Sequence, residues 1–224
     1  MFKKKFNSLL PKPDVICLFL LLLSLSRLGF TSDSKDLFAP EFISQWQAHR
    51  FNGATRYDFI DANPPTVLRA ESQGSASGLY LMKKIDLLQT PYLNWSWRVD
   101  KPLPELAEQN KSGDDFSARV YVIIDGGWWF WRTRAISYVW SSQANIHSPW
   151  PNPYVGRKAM MIALRSGQDQ PKTWYHEKRH ILQDFETIFG EHPRYIDAVA
   201  IMTDTDDSET EALSYYRHLY FSAD

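Results

Sequence analysis

Alternation of apolar and polar residues is the feature that most constrains the fold of this chain. It is clearest over residues 93–99, where Leu, Trp, Trp and Val take every second position and Asn, Ser and Arg stand between them. Because successive strand residues point to opposite faces, this segment predicts a strand with one buried side. Related runs, most of them separated by turn residues, occur at 66–71, 78–85, 116–124, 135–141, 159–165, 196–203 and 214–221.

Many short strands at this spacing predict an all-β protein, a jelly-roll-like β-sandwich of about 8–10 strands. One short helix is predicted over 181–189, where apolar residues recur about every 3.6 positions and Gly190 follows as a terminator. Long loops are predicted at 102–113 and 145–156 and are candidate binding loops. Since no linker or internal repeat interrupts the pattern, we expect a single domain over residues 27–224.

The first residues are typical of an export signal. Four lysines precede an apolar stretch at 15–25, and Ser24 and Ser26 offer small residues for cleavage. The stretch is shorter than the roughly 20 residues that cross a bilayer. We therefore expect residues 1–26 to be a cleaved signal peptide, with a retained signal anchor as the alternative, and a periplasmic or secreted domain. Cys17 lies inside the stretch rather than after it, which argues against a lipid-modified cysteine.

Charge and cysteine content exclude some functions. Loss of residues 1–26 would change the formal net charge from −1 to −4 and remove the one cysteine. A negative chain is poorly suited to nucleic acid, and a chain without thiols has no disulfide or thiolate chemistry. We expect no nucleic-acid partner and no transmembrane span after signal cleavage.

Aromatic residues are concentrated between residues 95 and 150, which hold seven of the nine tryptophans. Trp128, Trp129, Phe130 and Trp131 follow one another directly after a pair of glycines. One face of a strand cannot bury four successive rings, so at least two must meet a second layer, a ligand or water. We predict that Trp128, Trp129, Trp131 and Trp150 form an exposed surface that binds a glycan or an envelope protein. Four other rings are expected in the core: Trp95, Trp97, Tyr121 and Trp140.

Two groups of aspartates stand on predicted loops. Clustered carboxylates can bind Ca²⁺ or supply the acid and base of glycoside cleavage, but aspartate also favours turns. We expect a mainly structural role and no cofactor, and Ca²⁺ binding stays open as an alternative. The residues concerned are Asp114, Asp115, Asp204 and Asp206. Arg98, Arg119 and Arg217 occupy polar-facing strand positions, and we expect buried arginines to pair with such aspartates.

The segment from His176 to His180 has two histidines four residues apart and a glutamate after the first, as in zinc proteases. That pattern binds zinc only on a helix, where both imidazoles share one face. Trp174 and Tyr175 precede the segment in strand-like sequence, and the extended pattern fails at Gln183 and Glu186. We therefore expect no zinc site and assign no catalytic residue.

At residues 67–70, 91–100, 113–122 and 200–206, among other stretches between about Phe42 and Phe221, the chain resembles a bacterial family known as domain of unknown function 3047. The resemblance implies a single exported domain with a jelly-roll sandwich similar to carbohydrate-binding modules, and it carries no settled activity. The family's usual Tyr-Tyr-Gly-Asp before the last strand is replaced here by residues 215–218, Tyr-Tyr-Arg-His. The matching stretches are 67–70, 75–80, 91–100, 113–122, 138–140, 184–190 and 200–206.

Three functions remain open. The leading hypothesis is an exported, non-catalytic binding domain for a glycan or envelope component. The alternatives are a glycan-active enzyme with paired aspartates and a structural or assembly protein of the cell envelope. An acid pair in a cleft would favour the enzyme, whereas buried Asp–Arg pairs away from a cleft would favour binding.

Overall fold

The computed structural model describes residues 35–60, 65–127, 132–145 and 148–224. Within these ranges the chain forms twelve strands, a 3₁₀ turn at Lys111–Gly113, and two helices, α1 (Pro40–Ile43) and α2 (Ile181–Phe189). The strands are β1 (Gln47–Asn52), β2 (Arg56–Ile60), β3 (Val67–Gln73), β4 (Ala76–Asp86), β5 (Tyr92–Lys101), β6 (Arg119–Ile124), β7 (Arg134–Trp140), β8 (Trp150–Asn152), β9 (Gly156–Arg165), β10 (Tyr175–His180), β11 (Tyr195–Met202) and β12 (Glu211–Ser222).

The strands form two sheets that pack face to face. The seven-stranded sheet has the order β1-β4-β11-β6-β7-β9-β8, and the five-stranded sheet has the order β10-β5-β12-β3-β2. Neighbours are antiparallel except β7 and β9, which run parallel. The predicted all-β sandwich is therefore confirmed, and all eight predicted strands are present. The strands β1, β2, β8 and β10 were not predicted, because they are short or have polar residues on both faces.

The core lies between the sheets and is built from the apolar positions of the alternating segments. Trp95 and Trp97 on β5 are 2% and 0% exposed, and their rings meet edge to face at 5.4 Å. Tyr138 on β7 contributes from the opposite sheet, with its ring 5.3 Å from that of Trp95. Burial of Trp140 was also predicted and is confirmed. Tyr121 is an exception, since it is half-buried on the outer face of the seven-stranded sheet.

Helix α2 has the bounds that the sequence predicts. The His180 side chain accepts a hydrogen bond from the Gln183 backbone N–H (3.1 Å) and caps the first turn. Gly190 ends the helix in the left-handed conformation, with φ of 68°. Ile181 and Phe185 are fully buried in the core and fix the helix against the sandwich.

The histidines of the zinc-protease-like segment, His176 and His180, lie on strand β10. Four residues of extended chain separate two side chains by roughly 13 Å, too far for one metal ion. In the described part of the chain, no helix has the length and apolar character needed to cross a membrane. The predicted signal peptide, residues 1–26, lies outside the described residues.

Candidate functional site

Sheet topology brings the predicted aspartates together around Arg119. This arginine begins β6, and its partner across the ladder is Met202 at the end of β11. Asp204 follows β11, and Asp114 and Asp115 precede β6. Because β6 and β11 are antiparallel, the start of one lies beside the end of the other. Residues nearly ninety positions apart therefore meet at one end of the seven-stranded sheet.

Arg119 is the centre of a buried ion-pair network. Its side chain is 3% exposed, and its Nε donates a hydrogen bond to Asp204 Oδ1 at 2.9 Å. The same guanidinium pairs with Asp114, with Nη1 3.5 Å from Oδ1. The guanidinium carbon lies 4.3 Å from the centroid of the Phe116 ring. The described residues thus give this cation both charged partners and an aromatic face.

Burial dominates the electrostatics of these carboxyl groups. Loss of solvent raises the pKa of Asp114 to about 7, although the nearby Arg119 and a hydrogen bond from Asn152 oppose the shift. Burial likewise raises the pKa of Asp204 well above its ordinary value, again against the effect of Arg119. Desolvation favours the neutral acid, whereas the Arg119 guanidinium favours the carboxylate.

Three carboxylates of the cluster could also hold a cation. Ligand oxygens of Asp115, Asp204 and Asp206 lie within 4.8 Å of one another. Two backbone N–H groups already donate to Asp115, from Asp207 (3.3 Å) and Ser208 (2.6 Å). Calcium needs six to eight oxygen ligands. Metal binding and ion pairing compete at Asp204, since Arg119 occupies the oxygens that a metal would use.

The aspartate cluster is poorly placed for glycoside cleavage. Asp114, Asp115 and Asp204 are at most 5% exposed. The acid and base of a glycosidase must flank a bond of the bound sugar, so both must reach a substrate groove. Buried pairing with Arg119 is the arrangement expected of structural carboxylates.

Trp150 is buried, and the expectation that its ring is exposed is wrong. The side chain is 4% exposed and packs with Phe116 and Met161 against the outer face of the seven-stranded sheet. Strand β8 causes this burial, because it pairs with β9 at the sheet edge and directs the indole onto the sheet. The other predicted rings, Trp128, Trp129 and Trp131, lie outside the described residues.

Arg98 is on the outer face of the five-stranded sheet, away from the aspartate cluster. Its Nε lies 2.7 Å from Asp100 Oδ1, two residues along the same strand. The guanidinium also lies over the rings of Tyr215 (4.2 Å) and Trp174 (5.2 Å). This arginine therefore belongs to a second group of polar and aromatic residues, on the opposite sheet.

A cleft of about 400 Å³ opens on that outer face, across strands β10, β5 and β12. Residues that are directly opposite in an antiparallel ladder share one face, so the register fixes which side chains line it. One row contains Lys178, Asn94 and Tyr220. The next row contains His176 and Ser96, which line the cleft, and Arg217, which lies beside it on the same face.

Hydrogen bonds and a bulge shape the cleft. Ser96 Oγ lies 2.7 Å from His176 Nδ1, and Asn94 Nδ2 donates to Ser222 Oγ at 2.9 Å. The register of β12 shifts between Arg217 and Tyr220, and His218 within that shift has φ of 54°. This bulge places the His218 side chain at the cleft wall. Burial lowers the pKa of His218, which favours the neutral imidazole at pH 7.

Glu177 is the carboxylate among the residues that line the cleft, and it already has partners. Its Oε1 accepts hydrogen bonds from Trp97 Nε1 (2.9 Å) and Arg165 Nε (2.6 Å). An acid–base pair needs a second carboxyl group facing the same cavity, and the lining contains none. The cleft instead offers hydroxyl, amide, imidazole and ammonium groups beside an aromatic ring.

The sequence pattern did not predict this cleft. Its residues come from three strands whose pairing is set by the tertiary fold, and β10 was not recognised as a strand. The alternating pattern of β5 did place Asn94, Ser96 and Arg98 on a polar face, and that was the available signal. The bulge at His218 coincides with the residues that differ from the family's usual Tyr-Tyr-Gly-Asp.

The fold and the cleft define an all-β sandwich domain with an open polar site on one sheet. Residues 44–220 match the family model DUF3047, described as a protein of unknown function. The chain belongs to this family, as its sequence motifs indicated. A comparison with curated proteins found no match.

Several solved structures are similar to this chain. The xyloglucanase domain of NopAA, a type three effector from Sinorhizobium fredii, in complex with cellobiose, is 9% identical, with a TM-score of 0.45 over 80% of this chain and 94% of that chain. Endoglucanase Cel12A from Rhodothermus marinus is 10% identical, with a TM-score of 0.42 over 80% and 91%. A structure on the promiscuous specificity of carbohydrate-binding modules of the β-sandwich superfamily is 11% identical, with a TM-score of 0.41 over 84% and 61%. At this identity a common function does not follow.

Proposed function

We propose that this protein is a non-catalytic binding domain that takes a glycan in the cleft of the five-stranded sheet. The export signal predicted from the sequence would place this binding in the periplasm or outside the cell. The observation that carries the proposal is the composition of the cleft, in which polar groups of several kinds surround one cavity.

Sugars require this combination of groups. Each ring carries several hydroxyls that both donate and accept hydrogen bonds, together with apolar C–H faces. Asn94 and His176 provide donors and acceptors on neighbouring strands, and Lys178 adds a donor at the rim. Ser96 is buried, and its hydroxyl holds the His176 ring in place. The ring of Tyr220 supplies an aromatic surface with a hydroxyl at its edge. Because these groups are on paired strands, their spacing is held by the ladder.

The absence of a free acid pair in the described cleft favours binding over hydrolysis. Glu177 is held by Trp97 and Arg165, and the aspartates around Arg119 lie on the other sheet. Neither group can flank a sugar seated between β10 and β12. The domain is therefore expected to bind its glycan without cleaving it.

A glycan array on the purified protein, followed by titration with the ligands found, tests the proposal. Tyr220→Ala and Asn94→Ala should each weaken binding by at least about tenfold, equivalent to about 1.4 kcal/mol. Tyr80→Ala is the matched control, because Tyr80 is a half-buried tyrosine on the other sheet. Its affinity should equal that of the wild type.

Two outcomes would contradict the proposal. Equal affinities in the wild type and both cleft variants would show that the glycan binds elsewhere on the protein. Release of reducing sugar by the wild type from any bound glycan would show that the domain is an enzyme. The melting temperature of each variant must be measured alongside, so that unfolding is not mistaken for lost binding.

A further inference from the structure

We infer that the glycan bound in this cleft is acidic, and that Arg217 binds its carboxylate or sulfate group. This inference rests on the proposed function and specifies its ligand class. It starts from the position of Arg217, which is opposite Ser96 in the β5–β12 ladder and therefore points to the cleft side of the sheet.

Arg217 differs from the other arginines of this region in having no acidic partner within the described residues. On the same sheet, Arg69 pairs with Glu71 (2.8 Å) and Arg98 pairs with Asp100 (2.7 Å). Arg165, on β9 of the other sheet, pairs with Glu177 (2.6 Å). The Nε of Arg217 is buried and makes no hydrogen bond with any described residue. A buried donor that lacks a partner destabilises the protein.

Trp174 orients the Arg217 side chain. The guanidinium carbon lies 4.0 Å from the centroid of the indole, so the ring holds one face of the cation. The edge of the guanidinium carries its N–H donors, and within the described residues no carboxylate pairs with them. Arginine binds carboxylate and sulfate through paired hydrogen bonds from such donors.

The charge around Arg217 is unbalanced. Arg98 lies over the same Trp174 ring at 5.2 Å, but Asp100 balances its charge, so Arg217 is the cation at this indole without a described acidic partner. Burial and the proximity of Arg98 both lower the pKa of Arg217, as expected for a cation without a counter-ion. Lys178 adds an exposed positive charge at the cleft, and the cleft's Glu177 is neutralised by Arg165. This local excess of positive charge stands out in a chain whose formal net charge is −1.

The remaining groups favour an acidic sugar over a simple anion. Arg217 is adjacent to Ser96, which shares a row with His176, and Asn94 and Tyr220 follow in the next row. Rows on one face are about 7 Å apart along the strands. An anion at Arg217 would therefore be attached to a ligand whose hydroxyls reach the next row.

Paired probes test the inference. Oligomers of polygalacturonate carry a carboxylate on each sugar, and their methyl esters have the same backbone without charge. Dextran sulfate and dextran provide the corresponding pair for sulfate, and polyglutamate is an anion without sugar. Affinities are measured by calorimetry for the wild type, Arg217→Gln and the control Arg50→Gln, which removes an exposed arginine on β1 of the other sheet.

The wild type should bind at least one acidic polymer about tenfold or more tightly than its neutral partner. Arg217→Gln should lose most of this preference and keep its affinity for the neutral form, whereas Arg50→Gln should retain it. The pair that shows the preference identifies carboxylate or sulfate as the bound group. A preference unchanged in a folded Arg217→Gln protein would overturn the inference, as would equal binding of polyglutamate.

Failure of the inference and failure of the proposed function give different results. Binding of neutral glycans that depends on Tyr220 and Asn94 but shows no charge preference refutes the acidic ligand alone. If no cleft variant changes the affinity for any of the glycans, the proposed function itself is wrong.

Discussion

Replacing Asp204 by alanine should strongly destabilise the fold. Asp204 is 2% exposed and accepts hydrogen bonds from two nitrogens of Arg119 and from the Phe116 backbone N–H. The variant leaves a buried guanidinium with its main partner removed, which costs about 3 to 5 kcal/mol. For a domain of this size, each kcal/mol lowers the melting temperature by about 2–4 °C, so the expected decrease is roughly 6 to 20 °C.

Thermal unfolding followed by circular dichroism measures this decrease. The control is Asp58→Ala, because Asp58 is partly exposed and its partner Arg56, at 2.8 Å, is exposed. Exposed pairs contribute about 0 to 1 kcal/mol, so the control should melt within about 4 °C of the wild type. If Asp204→Ala melts as the control does, the structural account of the cluster is wrong. A rise in the wild-type melting temperature with Ca²⁺, reversed by a chelator, would instead assign the aspartates to a metal.

Three further predictions concern single residues. The native Asp114, with its pKa raised to about 7 by burial, holds a proton that the unfolded chain releases, so its contribution to stability is present below about pH 4 and lost as pH rises through about 7. The unfolding free energy of the wild type should therefore decrease relative to that of Asp114→Asn between about pH 5 and pH 8 in urea titrations, and parallel curves would contradict this. Trp150→Ala should cost about 3 to 5 kcal/mol in the same assay, because it empties the contact with Phe116 and Met161. Trp128→Ala is predicted from the sequence to cost much less, and a comparable loss would identify Trp128 as a core residue.

The sequence predicts the sandwich because its strands alternate strictly where one face is buried. Residues 93–99 on β5 show this most clearly. Helix α2 is predicted equally well from its apolar spacing and from Gly190. Strand β10 was missed because its inward position at Glu177 is charged. That carboxylate accepts hydrogen bonds from Trp97 and Arg165 on other strands. Such contacts between distant segments cannot be predicted from the local sequence.

The two candidate sites also differ in how far the sequence predicts them. Pairing of Arg119 with aspartates could be anticipated, since a buried cation needs carboxylates and few others were grouped. The cleft could not, because Ser96, His176 and Arg217 meet only through the order of β10, β5 and β12. The bulge at His218 also changes the register of β12 between Arg217 and Tyr220, and no local sequence pattern predicts that change.

The position of β12 in the five-stranded sheet has a consequence for the order of assembly. Strand β12 is the last along the chain, yet it lies between β5 and β3 and pairs with both. A growing polypeptide emerges from the ribosome N-terminus first, so β3 and β5 wait with unpaired edges until residues 211–222 are available. Exposed strand edges are prone to aggregate. Any chain that ends before β12, through a premature stop or proteolysis, would therefore lose half of the sandwich and the cleft together.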